Sequence, residues 1–286
     1  MFDLTYLESR DNLKPLKLED KKGWIHDDHR FVLPLVYNAQ EKGLLPKPCK
    51  IVSFDFHKDT GDVKDELKRE ITELIKKEYS LSELIEVTER LGGNDDDWIQ
   101  AGMNLGIFSD AIIFGVNYCF DEEDKCQEIT DILGKKHHIE IRSYFPGVML
   151  GFKGELSDLL YKTTYKHLWD LLGWEYVGNP EYKFKFKENN KKILLDIDLD
   201  AFTMEWDKFT FPWEDEVFED RFHKPGYGPT SEWSGKKFND DLINQSGLIT
   251  IAREPGCCGG EEKMDIIYSK VKKYLFNDKL IDSYQA

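Results

Sequence analysis

Cysteine is scarce. The five cysteines, Cys49, Cys119, Cys126, Cys257 and Cys258, form no paired CxxC array. An odd count without framework spacing excludes a disulfide scaffold and fits reduced thiols in a cytoplasm. The adjacent pair Cys257-Cys258, flanked by glycine, reads as a turn. Long apolar runs are missing too, so no membrane span is expected. The start, Met1-Phe2-Asp3-Leu4-Thr5-Tyr6, lacks a basic stretch followed by an apolar one, so no secretory leader is expected and the expected location is cytoplasmic. Positive charge is in deficit, with 39 Lys and Arg against 55 Asp and Glu, a net charge of −16. That balance excludes a basic nucleic-acid surface and favours cationic partners. Repeats, low-complexity tracts and linkers are absent as well. A single domain over residues 1–286 is the economical reading.

What is present is the alternation of an α/β protein. Lys50-Ile51-Val52 begins a buried strand over about 50–56, Ala111 to Val116 a second, Ile193 to Asp200 a third and Leu248 to Ala252 the last. A further strand is expected over His138–Arg142. Trp24 to Arg30 leads into Phe31, Val32, Leu33, Leu35, Val36 and Ala39, a helix ending at Gly43 whose first turn carries Asp28 and His29. Helices are also expected over 62–79, 81–91, 98–105, 124–133, 155–171 and 261–275, and residues 1–22 read as an edge strand followed by a loop. Strands alternating with helices predict a three-layer αβα fold with a mostly parallel central sheet. An aromatic segment at 203–233, with Trp206, Phe209, Phe211, Trp213, Phe218 and Phe222, reads either as core packing or as a functional loop.

Three segments offer metal-competent side chains: Asp28-His29, then Asp55, His57 and Asp59, then Asp196, Asp198 and Asp200. Two of these end buried strands, where a doubly wound sheet collects its ligands. Asp55 and His57 are two apart, so on an extended backbone they point the same way. Carboxylates brought together repel unless cations neutralise them, and carboxylate-rich ligation with one or two imidazoles suits a divalent ion such as Mn²⁺. Each piece has a quieter reading. Asp28 can simply cap the helix beside it, His26 and His223 can be surface or hydrogen-bonded histidines, and Asp97-Trp98 can be a helix start or line a pocket.

Ser53-Phe54-Asp55-Phe56-His57-Lys58-Asp59 resembles the aspartate–histidine–aspartate signature of arginase-like ureohydrolases, and Asp196 to Phe202 resembles their later DxD signature. With Asp28-His29 ahead of both and Leu248 to Pro255 after, the arrangement is similar to the branch that includes the peptide arginases. The resemblance spans residues 24 to about 275, its specific part being four short motifs. It implies an arginase-like fold, two Mn²⁺ ions held by His29, Asp55, His57, Asp59, Asp198 and Asp200, and attack of a metal-bridging hydroxide on a guanidino carbon. It implies bridging roles for Asp55 and Asp198, a catalytic orienting role for Asp59, and a guanidinium-binding role for Glu254. The implied reaction converts an arginine residue of a peptide to ornithine and releases urea. The usual Asp-Pro after the second signature is replaced by Thr203-Met204, so Asp196 reads as either a displaced ligand or an acceptor behind the ligands. No histidine follows Asp59 until His137 and His138, and the loop that grips a free α-carboxylate is not recognisable.

Other functions stay open at this point. A hydrolase of a small free guanidine (arginine or agmatine type) would keep the mechanism. A haloacid dehalogenase-type phosphatase would use Asp196-Ile197-Asp198 but leave the 53–59 motif unexplained. A non-catalytic, metal-stabilised module for basic peptides would use the charge alone. The sequence does not set the oligomeric state.

Overall fold

The last parallel strand of the fold, Ser246–Ala252, lies between strands that precede it by more than 50 and by more than 200 residues. In this computed structural model the described residues are 3–92, 96–115, 125–142, 174–177, 183–186, 192–206, 208–223 and 235–282. In chain order they begin with α1 (Leu4–Arg10), β1 (Lys14–Leu18), β2 (Lys21–His26), a 3-10 turn His29–Phe31, α2 (Val32–Glu41) and β3 (Cys49–Phe54). Then come α3 (Asp65–Lys76), α4 (Leu81–Thr88), α5 (Trp98–Asn104), β4 (Phe108–Phe114), β5 (Lys125–Thr130) and β6 (Lys136–Arg142). A ribbon of β7 (Trp174–Val177) and β8 (Lys183–Phe186) precedes β9 (Ile193–Asp198) and a 3-10 turn at Leu199–Phe202. The chain ends with β10 (Thr203–Trp206), β11 (Phe209–Pro212), α6 (Asp215–Phe218), α7 (Gly235–Gln245), β12 (Ser246–Ala252), α8 (Glu261–Tyr274) and β13 (Leu280–Asp282).

Nine strands form one mixed sheet in the order β13-β1-β2-β12-β9-β3-β4-β6-β5. The six from β2 to β6 are parallel, and the antiparallel strands sit at the edges. Successive residues of the central strands point to opposite faces, and both faces are apolar. Ile51, Ile113 and Leu194 pack with α2, α3, α4 and α5, whereas Val52, Leu195 and Ile251 pack with α7 and α8. Helices on both faces of a mostly parallel sheet make this an α/β fold in three layers. No helix among the described residues is long and apolar enough to cross a membrane.

The expected strands at 50–56, 111–116, 138–142, 193–200 and 248–252 are present within a few residues of their expected ends. Two expectations are corrected. Residues 1–22 hold a helix, a strand and the start of a second strand. The helix expected over 124–133 is the edge strand β5, which pairs antiparallel with β6. Turn chemistry decides the second case: Asp131 accepts from the amides of Leu133 and Lys135, and Gly134 takes a φ of 81°, closing a hairpin where helix periodicity was read. The helix expected over 155–171 lies outside the described residues. Helix α7 was not anticipated.

The aromatic segment is largely packing where it is described. Phe202, Phe218 and Phe222 are buried and lie ring to ring with Trp213, Phe54 and Tyr274. Met204, Phe209 and Phe211 on the β10–β11 ribbon are instead exposed.

Candidate metal centre

Four adjacent parallel strands, β2, β12, β9 and β3, end on the same edge of the sheet and carry the candidate residues just past their carboxyl ends. The strand order turns between β3 and β9, with β4 on one side and β9 on the other, which is the crevice where such sheets bind ligands. After β2, Asp28 caps the 3-10 turn by accepting from the Arg30 amide, and this turn delivers His29. The quieter reading of Asp28 therefore holds: its carboxylate caps and pairs with Arg30. After β3 come Asp55, His57 and Asp59. After β9, Asp198 accepts from the Asp200 amide at 3.0 Å and so caps the turn that carries Asp200.

These residues converge. His29, Asp55 and Asp198 bring ligand atoms within 4.8 Å of one another, as do Asp55, His57 and Asp200. Asp55 belongs to both groups; Asp198 belongs to the first. His29 Nδ1 lies 3.1 Å from both Asp59 Oδ2 and Asp198 Oδ2 and 3.7 Å from Asp55 Oδ2. His57 Nδ1 lies 3.0 Å from Asp200 Oδ2. Asp59 is oriented from behind by the indole N–H of Trp98, which donates to Oδ2 at 2.6 Å, and the Trp98 ring packs on His29 at 4.7 Å. Asp59 and Glu254 both hold a left-handed backbone, with φ of 45° and 35°. Non-glycine residues adopt that region at a cost, and such residues gather at functional sites.

Asp196 sits behind the ligands. Its Oδ2 lies 2.8 Å from His29 Nε2 and accepts from Ser53 Oγ at 2.8 Å, while its Oδ1 accepts from Thr250 Oγ1 at 2.7 Å. Ser53, Asp196 and Thr250 face one another in register across β3, β9 and β12. An ionised carboxylate only accepts, so Nε2 carries a proton and Nδ1 is left to face the cluster.

Burial and mutual repulsion shift the acids of this edge together. Burial, then the charge of Asp59, pushes the Asp55 carboxyl well above its ordinary range. Burial, then Asp200 and Glu254, does the same to Asp198. Burial also raises Glu254. Burial alone would lower His29, but the Asp196 charge and the surrounding carboxylates hold it well above 6.5. The His57 imidazole is lifted to about 9, chiefly by the Asp200 carboxylate 3.0 Å away. Three atoms test the fit directly. His29 Nδ1, Asp55 Oδ2 and Asp200 Oδ2 are buried without a hydrogen-bond partner, although acidic oxygens or an imidazole nitrogen lie close to each. Buried polar atoms are almost always satisfied, and atoms that approach without hydrogen-bond geometry are arranged as ligands around an ion are. These buried imidazole and carboxylate groups could hold a metal ion.

No protein-family model matches the chain, and no curated protein matches it.

All six residues expected as metal ligands lie in this cluster. Glu254 lies beside it, sharing a third group of close ligand atoms with Asp200 and Cys257. Arg253 pairs with Asp27 and not with a ligand. His137 is excluded from the site: it is buried at the opposite edge, between the Ser109 carbonyl and Asp131. Ser53, Thr250 and Cys257 were missed. The signal for the first two was a lone hydroxyl residue inside an otherwise apolar strand.

Proposed function

We propose that this chain is a two-metal amidinohydrolase, peptide arginase-like in kind, that hydrolyses a guanidino C–N bond, with an arginine residue of a peptide as substrate and ornithine and urea as products. The observation that carries this reading is the pair of ligand groups joined through Asp55, with the Glu254 carboxylate beside them. His29, Asp55, Asp59 and Asp198 would hold one Mn²⁺, and Asp55, His57 and Asp200 the other. Two such ions would supply Lewis acidity and lower the pKa of a bound water.

The chain's own residues do the rest. Asp196 fixes the His29 tautomer, and Trp98 fixes Asp59 against the cluster. Glu254 presents two oxygens to the two N–H groups of a guanidinium, the bidentate geometry that matches a planar cation to a carboxylate. Water adds at the guanidino carbon, the bond to the side-chain nitrogen breaks, that nitrogen takes a proton, and urea leaves. The net charge of −16 favours approach of a cationic peptide, and the exposed Phe209 and Phe211 give an apolar surface on the ribbon that follows Asp200.

Urea release in Mn²⁺, from free arginine and from a short arginine-containing peptide, tests the reading, with Asp198→Asn as control. Urea from the peptide alone, lost in Asp198→Asn, is the expected result. Urea from free arginine or agmatine would keep the chemistry and change the substrate. Absence of urea from all of them, with metal bound, would overturn the proposal.

A further inference from the structure

We infer that Asp200, Glu254 and Cys257 form a second kind of metal position, one for a thiophilic divalent cation of the zinc type, at the rim of the carboxylate centre. A carboxylate oxygen from each acid and the Cys257 sulfur lie within 4.8 Å of one another. This donor set differs from the two inner groups, which offer only carboxylates and imidazole. A thiolate with carboxylates selects zinc over the hard ions that suit oxygen ligands. Asp200 carries the sign of a ligand: it is 1 % exposed, and its buried Oδ2, although 3.0 Å from His57 Nδ1, makes no hydrogen bond.

The loop is built to return the thiol to the site. Strand β12 ends at Ala252, and the Arg253 amide donates to the His26 carbonyl while the Glu254 amide donates to the Asp27 carbonyl. The Arg253–Asp27 ion pair fastens the same point. At a φ of 35°, Glu254 reverses the chain, and its carbonyl accepts from both the Cys257 and Cys258 amides at 3.0 Å. The two adjacent cysteines are thereby sorted. Cys258 is buried, its Sγ 3.3 Å from the Arg253 carbonyl, whereas Cys257 is exposed beside Glu254.

Coordination exchanges the S–H proton for the cation and releases that proton to solvent. Three protein ligands leave a fourth position for water or for a group of the substrate. An ion here engages Glu254 and so competes with a guanidinium for it, a consequence that rests on the proposed function, whereas the site itself does not.

The test uses the full-length chain, stripped of metal and titrated with Co²⁺. A thiolate-to-cobalt charge-transfer band in the near ultraviolet is expected in the wild type and in Cys258→Ser, and is expected to vanish in Cys257→Ser. Absence of the band at saturating Co²⁺, or its survival in Cys257→Ser, overturns the inference. A second measurement needs no substitution: Zn²⁺ should slow iodoacetamide alkylation of Cys257, followed by peptide mass spectrometry, by about tenfold or more. An unchanged alkylation rate also overturns it. Neither readout depends on urea, so failure of the site and failure of the proposed reaction are told apart.

Discussion

Asp196 Oδ2 lies 2.8 Å from His29 Nε2, and that contact decides which nitrogen of the imidazole faces the carboxylates. Asp196→Asn replaces one acceptor oxygen with a donor and frees the ring to choose its tautomer. Loss of such a partner costs about 10- to 100-fold in metal affinity. Mn²⁺ titration followed by electron paramagnetic resonance of the free ion measures this. Affinity equal to that of the wild type would mean that Asp196 does not orient His29.

Trp98 ties helix α5 to the centre through Asp59. Trp98→Phe keeps most of the buried ring but removes the N–H donor at 2.6 Å, leaving a carboxylate oxygen without its partner. A lost hydrogen bond to a charged group costs about 1.5–3 kcal/mol. Urea unfolding should register a loss of that size in metal-free protein, and a smaller one when Mn²⁺ takes over the charge of Asp59.

Stability of the metal-free protein should fall as pH rises. His57, lifted from 6.5 to about 9 chiefly by the Asp200 carboxylate beside it, stabilises the fold while protonated. That contribution is complete below about pH 6.5 and is lost as pH rises through about 9. It is small, because the ring is half exposed. Asp55 and Asp198, raised by burial and by neighbouring carboxylates, also favour their protons in the fold, so they act in the same direction. The thermal midpoint after chelation should drop between about pH 6.5 and pH 9, and Mn²⁺ should restore it most at the alkaline end, where protons no longer compete. A flat or rising midpoint would contradict the charge balance described for this edge.

Gly102 gives a test of the packing behind the site. A Cβ there would come within 2.2 Å of the Phe108 ring and 2.8 Å of Leu33. Because α5 also carries Trp98, Gly102→Ala should push the helix outward. Overpacking of this kind costs about 1–3 kcal/mol. Chemical denaturation reads the loss, and an unchanged midpoint would mean that α5 yields without cost.

The candidate ligands were legible from sequence because they follow two apolar strand signals, β3 and β9, and those strands lie side by side and parallel. Their supports were not. Ser53, Asp196 and Thr250 meet only through the register of three strands, and no single segment encodes that register. Helix and strand were confused at Lys125–Thr130, where pairing with β6 outweighs local periodicity. Cys257 read as a turn residue because its partner Asp200 is 57 positions away.

Strand β12 fills the gap between β2 and β9, so the sheet is continuous only when nearly nine-tenths of the chain is available. During synthesis, His29 and the 53–59 ligands emerge long before Asp198, and Glu254 emerges after all of them. An unfinished chain therefore exposes clustered acids with no sheet to hold them in place. On the proposed reading, a metal site there is assembled only after β12 has been made, because Thr250, which holds Asp196, and Glu254 come from that strand and its end.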